Sequence, residues 1–302
     1  MHAKVKQGRR CAILLLFGGA VLQAAENSPT SYVAEIEAWR TQREARLKAD
    51  GGWLTVTGLL WLKEGVNTFG SAKDNDLVLP ASAPSRAGVF EFHDGRATAR
   101  LEAGVAATVD GRVVTAVEMH PDTSGSSETL VLGPLTMNVI RRSDRYGIRL
   151  KDNESASRRE FKRLEWFPIS EAYRLVARFV PYDPPKMVPV PNVLGQVNEM
   201  PSPGYVVFTL GGRELRLDPV LEEPDADELF IIFRDETTGR ETYGAGRFLY
   251  TEKPKDGHVL LDLNKAYSPP CAFTAYATCP LPPKQNRLPV RVEAGEKALL
   301  RH

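Results

Sequence analysis

The chain has 302 residues, of which 39 are basic, 38 are acidic and 42% are hydrophobic. The basic residues are scattered, which argues against a nucleic-acid partner and against an anionic membrane surface. The hydrophobic share is enough for an ordinary core, while the 24 glycines and 22 prolines favour many turns and short strands over long helices. A chain of this length is expected to form two domains.

The N-terminal segment has the layout of a secretory signal peptide. Four cations within the first ten residues precede an apolar run from Cys11 to Leu22, which ends at Ala24 and Ala25. A helix needs about 20 residues to cross a bilayer, so this run is too short to span one. The pattern predicts a signal peptide over 1–25 and a periplasmic or extracellular mature protein without a membrane span. The alternative is a buried N-terminal helix.

Residues 26–52 predict a helix. Large side chains recur at steps of three and four residues, which places them on one face of a helix. The glycines at 51 and 52 are expected to end this helix. We expect this face to pack across the body of the protein. Its members are Tyr32, Ile36, Trp39, Arg43 and Leu47.

Residues 53–166 show short apolar runs broken by turn residues every eight to twelve positions, which is typical of a β-sandwich or barrel. Asp94-Gly95 and Asp110-Gly111 predict tight hairpins, because these residues tolerate the positive backbone angles that such turns require. The candidate strands are 65–69, 77–79, 88–92, 105–109, 113–118, 130–132, 135–141 and 146–150.

The first half also resembles a forkhead-associated (FHA) domain, a phosphothreonine-binding β-sandwich. The residues that carry this resemblance are Thr68-Phe69-Gly70-Ser71, Asn75-Asp76-Leu77-Val78-Leu79, Ser85-Arg86, Asp110-Gly111 and Gly133. Ser71 and Gly88 stand where that family has Arg and His. Because a phosphate site needs a forked cation, we expect an FHA-like β-sandwich without phosphopeptide binding, and Ser85 and Arg86 as turn-forming surface residues.

Residues 167–302 predict a second β-rich domain. A strand over 174–180 alternates and is expected to end at the prolines that follow, and Gly211-Gly212 joins two alternating runs as a hairpin. A further hairpin is expected between 229–234 and 241–250, in which Gly244 and Gly246 mark a bulge or a close backbone approach. Residues 258–263 supply one more strand.

The last 40 residues contain the most distinctive sequence motifs of the chain. The relevant segments are Asp262-Leu263-Asn264, Tyr267-Ser268-Pro269-Pro270-Cys271, Cys279-Pro280-Leu281-Pro282-Pro283, Asn286-Arg287-Leu288 and Glu293-Ala294-Gly295-Glu296. Together with Thr242-Tyr243-Gly244-Ala245-Gly246-Arg247, they resemble domain-of-unknown-function family 1684. The resemblance covers nearly the whole mature chain, from about Tyr32 to Lys297, and implies no established activity.

This C-terminal box has two interpretations. Its prolines fix the backbone and cannot donate to a sheet ladder, so Asp262 and Asn264 could simply satisfy the backbone of a rigid loop. Alternatively the box forms a pocket in which Arg247 binds an anionic or carbonyl group and Asp262 acts as acid or base. The candidate catalytic residues are Asp262 and Arg247, and the candidate ligand-binding residues are Tyr243, Arg247, Asn264, Tyr267 and Asn286.

Other chemistry has little support in the sequence. The histidines lack metal-ligand spacing, and no phosphate loop or nucleophile elbow is present, so we predict no metal and no cofactor. Cys271 and Cys279 are the cysteines left after signal cleavage, and export predicts a disulfide between them. The alternatives are a buried unpaired couple and a reactive or metal-binding pair, including Cys271 as a nucleophile with His258 as its base.

Two function classes follow. One is an exported module that binds a small molecule or peptide near the C-terminal box. The other is a periplasmic hydrolase or isomerase that uses Asp262 with Arg247.

Overall fold

The computed structural model describes residues 29–299, so the predicted signal peptide lies outside the described residues. Helix α1 (Pro29–Lys48) begins the described chain. Its buried face consists of Tyr32, Ile36, Arg43 and Leu47, as the helical spacing predicts. Among residues 29–299, no helix has the length and apolar character needed to cross a membrane.

The first half is a β-sandwich of two sheets. The strands are β1 (Val56–Trp61), β2 (Gly65–Gly70), β3 (Leu77–Val78), β4 (Gly88–His93), β5 (Arg96–Leu101), β6 (Ala107–Val109), β7 (Arg112–Val114), β8 (Ala116–Met119), β9 (Leu130–Leu132), β10 (Leu135–Arg142) and β11 (Arg145–Asp152). One sheet has the order β1-β11-β10-β9-β6-β7 and the other has the order β3-β2-β4-β5-β8. Alternate side chains from both sheets, including the ring pair Phe69 and Phe90, form one core.

The predicted hairpin turns of this half are confirmed. Asp94-Gly95 joins β4 to β5 with φ angles of 50° and 80°, and Asp110-Gly111 joins β6 to β7 with φ angles of 51° and 72°. Arg86 pairs with Asp74 and donates to Asn75, whose amide donates to Ala72 O and Ser85 O. These contacts close a surface loop, as expected for Ser85 and Arg86.

The second half is also mostly β. After the short helix α2 (Ala156–Glu160), its strands are β12 (Arg174–Pro191), β13 (Val197–Leu210), β14 (Arg213–Leu217), β15 (Glu228–Phe233), β16 (Arg247–Glu252) and β17 (His258–Asp262). An antiparallel sheet has the order β14-β13-β12-β17, and β15 pairs with β16. The apolar sides of both pack together with residues 288–294. The chain is therefore mainly β with an N-terminal helix.

The prolines after Val180 do not end their strand, contrary to the sequence prediction. β12 continues to Pro191 and pairs with β13 on both sides of a register shift between Pro181 and Lys186. The prolines at 184 and 185 lie inside that shift, where no ladder hydrogen bond is required of them. The two strands therefore form a longer arm than predicted.

The hairpin that follows also differs from the prediction. β16 begins at Arg247 rather than at residue 241, because residues 235–246 fold into turns in which Thr237 O accepts from the N–H groups of Arg240, Glu241 and Thr242. Gly246 has a φ of 95°, and a Cβ there would lie 2.5 Å from Phe233 O. The predicted close backbone approach is thus found at Gly246.

Helix α1 and residues 270–279 connect the two halves. Thr274 Oγ1 donates to Val56 O at the start of β1 (2.9 Å), and Arg142 Nε donates to Thr278 Oγ1 (2.7 Å). Helix α1 lies against the second half through Tyr32 and Arg43. These contacts bring one face of α1 over the edge where β16 and β17 meet.

Candidate functional site

A cavity of about 700 Å³ lies between α1 and the strands β16 and β17. Small-molecule sites commonly have volumes of about 300–1,000 Å³. Aromatic residues Trp39, Tyr250 and Tyr267 line it together with charged side chains from α1, β16, β17 and the turns between them. We call this space the aromatic cavity.

Stacked rings form one wall of the aromatic cavity. Tyr250 stacks on Phe230 with ring centroids 4.7 Å apart, and on Tyr267 at 6.4 Å. Trp39 tilts against Tyr267 at 6.3 Å and meets Trp166 edge-on at 5.7 Å. Packing of both Trp39 and Tyr267 against other rings fixes their orientation, so the wall is formed before any ligand arrives.

Arg43 lies at the base of this wall. Its guanidinium is 4.5 Å from the centroid of the Tyr267 ring, and its Nε donates to Glu296 Oε2 (3.2 Å) while its Nη2 donates to Ser268 O (2.9 Å). Glu296 is fully buried. Burial raises the pKa of Glu296, and the charge of Arg43 opposes that rise.

The tyrosines of the wall hold their protons strongly. Burial raises the pKa of Tyr267 to about 12, against the opposing effect of the Arg43 charge. Burial also raises the pKa of Tyr250, whose hydroxyl donates to Glu222 Oε2 at 2.7 Å. At neutral pH both rings are therefore uncharged surfaces suited to stacking.

Charged side chains surround the wall. Lys255 pairs with Glu252 at 2.6 Å, and Lys265 pairs with Glu35 at 2.6 Å. Arg46 and Lys253 also line the cavity, and within residues 29–299 neither forms an ion pair. These two cations are available to a ligand.

Asp262, a predicted catalytic residue, also lines the aromatic cavity. Its Oδ1 accepts hydrogen bonds from Tyr32 Oη (2.8 Å), Asn264 N (3.2 Å) and Asn264 Nδ2 (3.2 Å). Asn264 also exchanges hydrogen bonds with the backbone of Ser170. These contacts fasten α1 to the end of β17, as the structural interpretation of Asp262 and Asn264 describes.

Arg247, the other predicted catalytic residue, is completely buried away from the cavity. It pairs with Asp235 at 3.2 Å and donates to Val292 O (3.0 Å) and Ala294 O. Burial lowers its pKa, and Asp235 opposes that change. Asp262 lines the aromatic cavity and Arg247 does not, and within the described residues no hydrogen bond joins the two.

Of the remaining predicted ligand-binding residues, Tyr267 lines the cavity and the others have structural partners. The amide of Asn286 accepts from Asp218 N (2.7 Å) and donates to Asp218 O (2.9 Å) and Ile232 O (3.0 Å). Tyr243 Oη donates to Cys271 O at 2.7 Å. Asn286 therefore fastens the C-terminal segment rather than presenting its amide to a ligand.

The predicted disulfide is not present. Cys271 and Cys279 are free thiols, and Cys271 N donates to Cys279 Sγ at 3.2 Å. Hydrogen bonding between the thiols lowers the pKa of Cys271 and, together with burial, raises that of Cys279. His258 is exposed and its Nδ1 lies 2.8 Å from Asp256 O, so it has a different partner from Cys271.

The sequence prediction missed Arg43 and Tyr250 as site residues. Arg43 interrupts an otherwise apolar helix face, and a cation at such a position is a signal of a buried partner. Tyr250 gave no comparable signal, because an aromatic residue in a strand is ordinary. Within the described residues, no three His, Cys, Asp or Glu side chains are grouped as metal ligands would be.

Comparison with known proteins gives a family but no activity. A family model described as "Protein of unknown function (DUF1684)" matches residues 159–297. An uncharacterized protein of Haloarcula marismortui, solved by solution NMR, is 32% identical over 48% of this chain and 81% of that one, with a TM-score of 0.41. No curated protein matches the chain significantly.

The solved structures that match also include FHA domains, as the sequence predicts. The FHA-2 domain of a Mycobacterium tuberculosis ABC transporter is 21% identical over 29% of this chain and 77% of that one, with a TM-score of 0.23. The FhaA FHA domain, solved in complex with the intracellular domain of a partner, is 16% identical over 31% of this chain and 97% of that one, with a TM-score of 0.23. Residues 159–297 of the chain therefore belong to the family described as "Protein of unknown function (DUF1684)".

Proposed function

We propose that this protein is an exported binding protein that takes a small organic molecule into the aromatic cavity. The observation that supports this most directly is the stacked pair of Tyr250 and Tyr267, which lines a cavity of about 700 Å³. Phe230 stacks on Tyr250 outside the cavity lining. An apolar wall with a few polar groups around it is the usual composition of a small-molecule site.

The surroundings of the wall indicate the class of ligand. A flat ring would stack on Tyr250 or Tyr267, because offset aromatic pairs are favoured at centroid distances of about 4.5–7 Å. Arg46 and Lys253 at the rim favour an anionic substituent on that ring. The ligand is therefore an aromatic or planar molecule with a negative group, whether free or part of a peptide.

Binding is better supported than hydrolysis or isomerisation. The enzyme hypothesis needs Arg247 and Asp262 to face a substrate together. Arg247 is fully buried on Asp235, and Asp262 accepts three hydrogen bonds from Tyr32 and Asn264. The contacts of these two side chains account for stability, and Arg247 does not line the cavity.

The fluorescent probe 8-anilinonaphthalene-1-sulfonate, which is aromatic and anionic, tests the proposal. We expect saturable enhancement with the native protein, and about tenfold weaker binding for Tyr250→Leu, since one lost stacking contact of about 1.4 kcal/mol gives that factor. Tyr250→Phe keeps the ring and should retain the affinity.

Tyr276→Leu is the matched control, because Tyr276 is exposed and lies outside the aromatic cavity. Near-UV circular dichroism must remain native throughout, since partly folded states also bind this dye. Equal binding by Tyr250→Leu and the native protein would refute the site.

Export is the second part of the proposal and rests on the cationic and apolar residues 4–22. N-terminal sequencing of protein from its native host should find a chain that begins near residue 25 or 26. In an oxidising compartment the adjacent thiols of Cys271 and Cys279 are placed to form a disulfide. Bulk protein with an intact Met1 would overturn export, and two free thiols in the exported protein would overturn the bridge alone.

A further inference from the structure

A second, smaller cavity of about 360 Å³ is lined by four cations: Arg43, Arg46, Arg149 and Lys151. The other lining residues are apolar or glycine, from the end of α1 to the start of β1. Among the described residues, no carboxylate lines this space. We call it the basic pocket.

Two of the cations come from the β-sandwich. Arg149 and Lys151 are alternate residues of β11, so their side chains project from the same face of the strand. Burial lowers the pKa of both, and a neighbouring positive charge lowers each further: Arg142 for Arg149, and Arg149 for Lys151. The fold thus holds like charges together in a partly desolvated place, which costs stability unless an anion compensates.

Carboxylates near these cations have other partners, and Asp152, next to Lys151 in the chain, accepts from Glu154 N at 2.8 Å. Asp50 pairs with Arg158 at 2.6 Å, and Glu44 Oε1 accepts from Leu164 N at 2.9 Å. Asp122, whose charge acts on Arg149, pairs with Arg142 at 2.9 Å. Within residues 29–299, therefore, neither Arg149 nor Lys151 forms an ion pair of its own.

The geometry of Arg149 and Lys151 suits a ligand. The Nε of Arg149 is buried and has no hydrogen-bond partner within residues 29–299, while its guanidinium lies 5.2 Å from the Trp53 ring centroid. Gly51, which has a φ of 69°, lies beside Lys151, and a Cβ at this glycine would be 3.6 Å from Lys151 Nζ. A planar guanidinium and a compact ammonium are both common oxyanion-binding groups.

We propose that the basic pocket binds the phosphate group of a small dissolved molecule. A phosphate dianion matches the pocket because Arg46, Arg149 and Lys151 have no carboxylate partner here, whereas Arg43 is already paired with Glu296. Arg43 and Arg46 line both spaces, whereas Arg149 and Lys151 line the basic pocket and not the aromatic cavity. Substitutions of Arg149 and Lys151 therefore test the phosphate site separately from the proposed function.

Thermal unfolding of the mature protein in inorganic phosphate, against chloride at equal ionic strength, tests the proposal. A ligand that binds only the native state raises the unfolding midpoint saturably. Arg149→Gln and Lys151→Gln should each raise the half-saturating phosphate concentration about tenfold, as expected for one lost charge-assisted hydrogen bond. Without phosphate, Lys151→Gln should unfold at a higher temperature than the native protein, because like-charge repulsion is relieved.

Arg112→Gln is the control, since it removes the same charge from an exposed residue of β7, at the far edge of the sheet that contains β11. It should keep the native phosphate response. The proposal fails if phosphate and chloride act alike, if Arg112→Gln weakens the response as much as Arg149→Gln, or if the protein binds phosphatidylglycerol vesicles but no dissolved phosphate. It also fails if Lys151→Gln lowers the midpoint and leaves the phosphate response intact.

Discussion

Arg247 resembles a catalytic residue in the sequence, but its contacts stabilise the folded protein. It is buried with Asp235 and is the largest fully buried side chain of the described residues. Arg247→Gln should lower the free energy of unfolding by about 3–5 kcal/mol, because Asp235 would remain as an uncompensated buried charge. Urea unfolding measures this.

The exposed pair of Arg100 and Glu91 is the control for that measurement. Arg100→Gln should cost less than about 1 kcal/mol, as exposed ion pairs generally do. A loss of similar size for both variants would contradict the role given to Arg247.

The side chain of Tyr267 makes the free energy of unfolding depend on pH. Its pKa is about 12 in the folded protein, against about 10 for tyrosine in an unfolded chain. Because the folded state keeps this proton more tightly, the associated stability is complete below pH 10 and is lost as the pH rises from 10 to 12.

Tyr267→Phe should therefore reduce the fall in unfolding free energy between pH 10 and 12. Absorbance at 295 nm should show that the variant lacks one phenol that titrates near pH 12 in the native protein. If the missing phenol instead titrates near pH 10, Tyr267 is not buried in the wall as described.

Among the elements, the proline-rich segment 269–289 depends on Asn286. Its side chain makes three backbone hydrogen bonds, with the N–H and C=O of Asp218 and with Ile232 O. Asn286→Ala leaves these buried groups unpaired, at about 1–3 kcal/mol for each group. We expect a loss of at least about 2 kcal/mol in the free energy of unfolding.

Limited proteolysis of Asn286→Ala should also cut within 280–292 faster than in the native protein. Asn198→Ala provides the comparison, because Asn198 is exposed on the β12–β13 arm. Proteolysis at the native rate would mean that the other contacts of the segment, such as Leu281 N to Pro191 O, suffice to hold it.

At the scale of the whole molecule, the contacts between the halves predict cooperative unfolding. Buried hydrogen bonds such as Thr274 to Val56 and Arg43 to Glu296 link α1, the sandwich and the C-terminal sheet. We expect fluorescence and far-UV circular dichroism to give coincident urea transitions. Two separated transitions would show that these contacts are too weak to couple the halves.

Much of the local structure follows from sequence patterns. The helical spacing from Tyr32 to Leu47 and the turns at Asp94-Gly95 and Gly211-Gly212 are local features, and each is found where predicted. The strand end expected at Pro181 is wrong, because Pro181 pairs with Gly204 and the register shift that follows removes the hydrogen bonds that Pro184 and Pro185 cannot make. The local sequence of β12 does not show that this segment pairs with β13, so it could not predict that the strand continues.

The sequence by itself determined the family, the mainly β class and the helical face that contains Trp39 and Arg43, since motif, composition and periodicity are properties of the chain. Only the tertiary structure decided which polar residues meet. It joins Arg43 to Glu296 across 253 positions, buries Arg247 on Asp235, and gathers Arg149 and Lys151 with the end of α1. These contacts depend on how strands from distant segments stack, and residue type alone does not encode whether a charge is paired, buried or left for a ligand.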